Sequence, residues 1–258
     1  MKQTTEPAIT LSQVTHAYFT KKEEIVAISG IDFTVPQGEL LVLVGPSGCG
    51  KSTILSLLAG IYKQTAGKIL LFGKKISQRT KCTCYMLQKD GLLEWRTVAQ
   101  NMLLGLELQK QATPERIDYA FHLLEQMGLG HIAHQYPSQL SGGMRQRVAL
   151  VRTLAVNPDI LLLDEPFSAL DIQNKIILED LLVKVMKKQK KTAVLVTHDL
   201  EEALAVGDRI LVMGGRPGTI RKTLDVPEEI RLLPPLKARS HPVFRRLFEE
   251  LWREVKQR

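Results

Sequence analysis

The sequence has little of what several protein classes require. Its 258 residues include three cysteines, Cys49, Cys82 and Cys84. An odd, sparse set argues against a disulfide framework and fits a reducing compartment. Cys82 and Cys84 are two apart and would share a face of a strand. No second Cys or His pair lies near them, so buried thiols are expected rather than a metal site. No apolar run reaches the roughly 18 residues of a membrane-spanning helix. Residues 1–10 are polar and lack the apolar region of a signal peptide. The chain is therefore expected to stay in the cytosol and to meet a membrane only through a partner. Repeats, low-complexity tracts and heptad arrays are missing. The net charge is +8 and aromatics are 5% of the chain. No basic stripe is interleaved with those aromatics, so nucleic acid is not an expected partner. The densest basic run, residues 184–191, ends a helical pattern, where cations suit the helix macrodipole.

What is present reads as a folded α/β chain. Hydrophobic residues are 44% and charged residues 24%, enough for a substantial core in one domain or a domain with an inserted subdomain. Glu39–Val44, Ile160–Leu163, Ala193–Val196 and Ile210–Met213 are short apolar runs that predict buried strands. Between them, Lys51–Ala59, Ile176–Met186 and Leu200–Val206 have helical character. Strands alternating with helices predict a parallel sheet. Ile9–Val14, Ile31–Val35 and Gly67–Phe72 read instead as short strands of an antiparallel patch. Residues from about Lys89 to Val156 read as mainly helical. One helix there has Thr113 as cap, Pro114 in its first turn and Gly128 at its end. Phe244, Leu247, Phe248, Leu251, Trp252 and Val255 predict a C-terminal amphipathic helix that packs on the parent domain.

Three strand ends carry chemistry. After the first buried run come Gly45, Pro46, Ser47, Gly48, Cys49, Gly50, Lys51 and Ser52, which fit G-x-x-x-x-G-K-[ST] between a strand and a helix, with Thr53 next as a further nucleotide-binding candidate. Glycines let backbone N–H groups turn toward phosphates, and the helix N-terminus favours an anion. Lys51 would neutralise the β- and γ-phosphates of a nucleotide and Ser52 would ligate Mg²⁺. The second run ends in Asp164 and Glu165. Two adjacent carboxylates at a buried strand end are costly without a cation. Asp164 is expected to hold Mg²⁺ through water, and Glu165 to orient or deprotonate the attacking water. The third run leads to His198, in reach of a γ-phosphate. Ligand sites in open α/β sheets gather at the carboxyl ends of strands.

A further segment makes a family resemblance specific. Leu140, Ser141, Gly142, Gly143 and Met144 open the run LSGGMRQR, which resembles the signature of the ABC transporter ATPase subunits. Ser168–Asp171 is similar to that family's D-loop, and Gln88 stands where its Q-loop glutamine belongs. The resemblance spans about residues 8–220. It implies an α/β P-loop NTPase (RecA-like) parallel-sheet core, an N-terminal antiparallel β patch and an inserted α-helical subdomain. The implied division is a catalytic core of residues 1–88 and 157–220, a helical subdomain of 89–156 and a C-terminal helical extension of 221–258. It further implies an ATPase with Glu165, His198 and Gln88 as catalytic residues, and Ser52, Gln88 and Asp164 around Mg²⁺. Residues Leu140–Met144 would meet ATP held by the other subunit, Asp171 would be the aspartate of the D-loop, and Tyr18 would stack on adenine. Partners by resemblance are a second copy, integral membrane permease subunits and, indirectly, a solute-binding protein, with the chain on the cytoplasmic face of the membrane.

Two stretches resemble one branch, the importers of nitrate, sulfonate and taurine type: DGLLEWRTV at residues 90–98 and GRPGTI at residues 215–220, with an ABC-type ATPase of an exporter or of a non-transport cytosolic complex as the alternative reading. Glu94 departs from that branch, which has Pro there, and EEIRLLPPLK replaces its basic proline motif after Val226. Leu92, Leu93 and Trp95 are expected to dock a permease helix, with subdomain core as the other reading of Trp95.

Overall fold

The computed structural model describes residues 6–19, 23–76 and 82–256. Three short strands, β3 (Leu40–Val44), β7 (Ile160–Asp164) and β8 (Thr192–Val196), are buried along their whole length. They are apolar on both faces because both faces are covered. Leu41, Leu43, Leu162 and Val194 face a core shared with Ile54 and Leu58 of helix α1 (Lys51–Leu58). Leu40, Val42, Leu161 and Leu163 face a second core built from the later helices. Truncating any of these leucines to alanine would cost about 2–5 kcal/mol.

These strands lie in a six-stranded sheet with β6 (Thr83–Met86), β9 (Arg209–Gly214) and β10 (Thr219–Asp225), in the order β10-β9-β3-β8-β7-β6. All pairs are parallel except β9–β10. The register sets the carboxyl ends level: Leu43 is opposite Val196, Asp164 opposite Val196, and Met86 opposite Leu163. A second sheet, antiparallel, has the order β2-β1-β4-β5, formed by β1 (Ile9–Phe19), β2 (Glu24–Val35), β4 (Ala66–Leu71) and β5 (Lys74–Lys75).

Several expected elements are longer than the pattern suggested. β1 and β2 run well beyond Ile9–Val14 and Ile31–Val35. Register shifts between Leu11 and Val14 and onward to Ala17 break the alternation by which strands are recognised. Helix α5 begins at Ile172, not Ile176, and ends at Gln189. Its first turn lacks an apolar stripe but is set by Asp171, which accepts from the Asn174 N–H at 3.0 Å. β10 runs through residues 220 and 221, where the extension was expected to begin.

Between β6 and β7 lie helices α2 (Val98–Leu108), α3 (Pro114–Gln126) and α4 (Gly142–Ala155). Thr97 and Gln100 form a capping box on α2. Thr113 stands at the N-cap of α3 without accepting a backbone N–H, and Pro114 follows it. After β8 come α6 (Leu200–Val206) and then the C-terminal α7 (Glu228–Arg231), α8 (Pro235–Arg239) and α9 (Pro242–Lys256). Phe244, Leu247 and Leu251 of α9 join the main core against α6 and β9.

Buried charges tie α8 to α5 and α6. Arg239 grips Glu179 with two bonds of 2.7 and 2.8 Å. Lys175 contacts Asp199 and Glu202, each at 2.7 Å. Burial pushes the Glu202 carboxyl up to about 7 against the pull of Lys175. An unfolded glutamate titrates near 4.3, so between these values the folded state binds the extra proton. The contribution of Glu202 to stability is therefore full below about pH 4.3 and is lost as pH rises through about 7. Calorimetric melting temperatures are expected to fall more between about pH 5.5 and pH 8 in the wild type than in Glu202→Gln. Equal slopes would refute this assignment.

Candidate functional site

The loop from Gly45 to Gly50 connects β3 to α1 in a conformation that side chains would obstruct. Gly45, Gly48 and Gly50 have φ of 150°, 82° and 91°. A Cβ on Gly45 would meet the Met213 carbonyl at 2.3 Å, and one on Gly50 would meet the Ile28 side chain at 2.3 Å. The Lys51 ammonium lies inside the curl and donates to the carbonyls of Gly45 (2.7 Å) and Pro46 (3.0 Å). Cys49 is buried beneath it. Ser47 and Gly48 face outward. This backbone is shaped to bind an anion.

The acid pair stands beside the loop. Burial pushes the Asp164 carboxyl above its ordinary value, while hydrogen bonds with Ser52 and Tyr85 oppose the shift. Tyr85 donates to Asp164 Oδ2 at 3.2 Å, and its own phenol is pushed up to about 12, chiefly by burial. Glu165 has a positive φ of 49°, a conformation that costs a side-chain-bearing residue about 1–3 kcal/mol. Its amide is held by the Val196 carbonyl at 2.9 Å. Its two carboxylate oxygens have separate partners: Gln88 Nε2 donates to Oε2 at 3.1 Å, and His198 Nδ1 lies 3.1 Å from Oε1.

Thus Gln88, Asp164, Glu165, His198 and the phosphate loop converge at four neighbouring strand ends. A cleft of about 500 Å³ opens there, lined by Lys51, Ser52, Thr53, Gln88, Glu165 and Arg216 on its polar side. Tyr18, Ile25 and Val26 supply an apolar wall. The Tyr18 hydroxyl is 3.1 Å from Thr53 Oγ1, and its ring meets His16 and Tyr62 edge to face.

The segment Leu140–Met144 does not line this cleft. Ser141 caps α4, accepting from the Met144 N–H at 3.3 Å, and Ser141 and Gly142 are exposed. Asp171 likewise caps α5 away from the cleft. The connection runs through Gln146, which the sequence reading left without a role. Its amide donates to the Glu165 carbonyl at 2.8 Å and accepts from the Ala169 N–H at 2.8 Å. Arg145 bonds both Asp90 (2.9 Å) and Glu94 (2.6 Å), so the acidic departure at Glu94 acquires a partner. Tyr85, Ile25, Val26 and Arg216 were also missed. An apolar or basic residue far along the chain carries no local sign that it will border the loop. Leu92 is buried in the helical core rather than free to dock, whereas Trp95 is 74% exposed and is not core.

Fold and cleft together define an ATP-hydrolysing cassette of the P-loop class, with its acid pair and histidine at the carboxyl edge of the sheet. A family model described as "ABC transporter" matches residues 28–168. An uncharacterized ABC transporter ATP-binding protein, YtlC of Bacillus subtilis, is 45% identical over 95% of this chain and 94% of its own length. The nitrate import ATP-binding protein NrtD of Synechocystis is 36% identical over 93% of this chain and 92% of its own. Among solved structures, the ATP-binding cassette MJ0796 bound to ADP and Pi, a dimer, superposes with TM-score 0.76 and 29% identity, covering 85% of this chain and 99% of that one. The chain belongs to the ABC transporter family, as one of its ATP-binding subunits. Among the described residues no helix is long and apolar enough to cross a membrane.

Proposed function

We propose that this chain energises an importer of the nitrate, sulfonate and taurine type, from the cytoplasmic face of a membrane permease. The observation that carries the reading is the separation of two half-sites on one chain. The phosphate loop, Gln88 and Glu165 line one cleft, with Asp164 bonded to Ser52 and His198 beside Glu165, while the N-terminus of α4 at Ser141–Gly143 lies outside it. A helix N-terminus favours an anion, and a second copy related by a two-fold axis would bring it to the partner's nucleotide. Two chains then enclose two ATP molecules, with Leu140–Met144 acting in trans and Asp171 at the contact. Hydrolysis breaks that contact and becomes subunit separation.

Within each cleft, Lys51 and the loop amides of residues 45–53 hold the polyphosphate. The Tyr18 ring, with Ile25 and Val26, takes the base. Ser52 and Asp164, oxygen donors already bonded to each other, fit Mg²⁺, which accepts few protein ligands and keeps several waters. Gln88 joins them from the loop after β6. When bound, the ion would neutralise charge on the β- and γ-phosphates. Glu165 accepts the proton of the attacking water. His198 and Gln88 fix the direction of its carboxylate.

The helical segment of residues 89–156 forms the face toward the permease, with exposed Trp95 at the dock. Residues 1–88 and 157–225, to the end of β10, form the catalytic core, and the chain beyond them the extension. The branch rests on the DGLLEWRTV and GRPGTI stretches and on likeness to a nitrate import protein. Affinity purification of the native complex, followed by mass spectrometry, is expected to return an integral membrane subunit and a solute-binding protein. Recovery of cytosolic or ribosomal partners alone would refute the transport role.

A further inference from the structure

The turn between β9 and β10 carries Arg216, in a segment that the sequence marked only as a branch resemblance. The turn is pinned by backbone to strand β2, which packs beside the phosphate loop at Ile28. The Gly218 N–H donates to Ala27 (2.9 Å), and its carbonyl accepts from the Ser29 N–H (3.0 Å). A Cβ on Gly218 would meet the Cys49 carbonyl at 2.0 Å, so the two loops touch with no side chain between them. Arg216 itself is exposed. Its Nη2 donates to the Ser47 carbonyl at 3.1 Å. Its guanidinium lies along Gly48, where a Cβ would be 2.8 Å from Nη2, 3.3 Å from Cζ and 3.4 Å from Nε. The same group borders the cleft with Lys51, Ser52 and Glu165.

One carbonyl is a poor match for such a cation. A guanidinium offers five N–H donors in a planar fork. Among the described residues no carboxylate forms an ion pair with it. An unneutralised arginine at the mouth of an anion-binding loop has its charge partner in whatever fills the cleft, and a fork is suited to phosphate oxygens.

We infer that Arg216 is a further nucleotide-binding residue, a second cation that contacts the polyphosphate from the β9–β10 turn. The inference rests on the nucleotide reading of this cleft. The test is calorimetric titration of the full chain with MgATP, using Arg216→Ala, Arg216→Lys and, as reference, Lys51→Ala. Arg216→Ala is expected to weaken MgATP about tenfold, the scale of one charge-assisted hydrogen bond. Arg216→Lys, which keeps the charge but not the fork, is expected to recover part of that loss, and both are expected to melt like the wild type without nucleotide. Wild-type affinity in Arg216→Ala, with Lys51→Ala impaired, would overturn the inference and leave the nucleotide reading intact. Equal weakening in Arg216→Lys together with a lowered melting temperature would make Arg216 a brace for the Ser47 backbone and also overturn it. If the wild type failed to bind MgATP, the nucleotide reading would fall and this inference with it.

Discussion

Glu165→Gln is expected to bind MgATP as the wild type does and to lose turnover by about 10²–10⁴-fold, the usual contribution of a positioned general base. The substitution is nearly isosteric and keeps an oxygen and a polar head between the amide of Gln88 and the ring of His198. What it removes is the negative charge that attracts a proton from water. The strained backbone at Glu165, fixed by the bond from its amide to Val196 and by Gln146 on its carbonyl, stays in place. Binding is governed by the loop, so the variant should accumulate with ATP bound and, in the paired arrangement proposed, as a dimer. Single-turnover phosphate release and size-exclusion chromatography with MgATP read the two halves separately. Wild-type hydrolysis by the variant would remove Glu165 from the chemistry.

Lys51→Ala acts on binding instead, with an expected loss of about 10²–10³-fold in MgATP affinity. That is the scale of losing charge-assisted contacts to two phosphate groups. The ammonium is buried and sits between the carbonyls of Gly45 and Pro46, so it also holds the curl of the loop. Two consequences should therefore separate. Nucleotide affinity falls steeply, and melting temperature without nucleotide drops modestly as two carbonyls lose a partner. Equilibrium titration and thermal denaturation on one preparation measure both. Retained affinity would show that the loop binds phosphate without its lysine.

The buried strands were legible because they are covered on both faces. Leu40 to Val44 alternates between two cores, so every position must be apolar and the run is continuous. The phosphate loop was legible because its glycines are demanded by local backbone geometry, as the obstruction at Gly45 and Gly50 demonstrates. β1 and β2 were underread because their bulges interrupt the period-two pattern, with Gln13 at a φ of 50°. The first turn of α5 was missed because a polar cap, not an apolar stripe, starts it.

The sequence by itself determined the parallel core, the phosphate loop, the acid pair and the family, because each depends on residues near one another in the chain. Only tertiary structure decided what surrounds them. Sheet register brings Gln88 and His198 to opposite oxygens of Glu165. Gln146 links the LSGG helix to the strand end of the acid pair. Arg216, 169 residues from Ser47, arrives at the phosphate loop. Hydrogen bonds and ion pairs act over a few ångströms of space, whatever the separation along the chain, and strand order alone sets which distant residues fall within that reach.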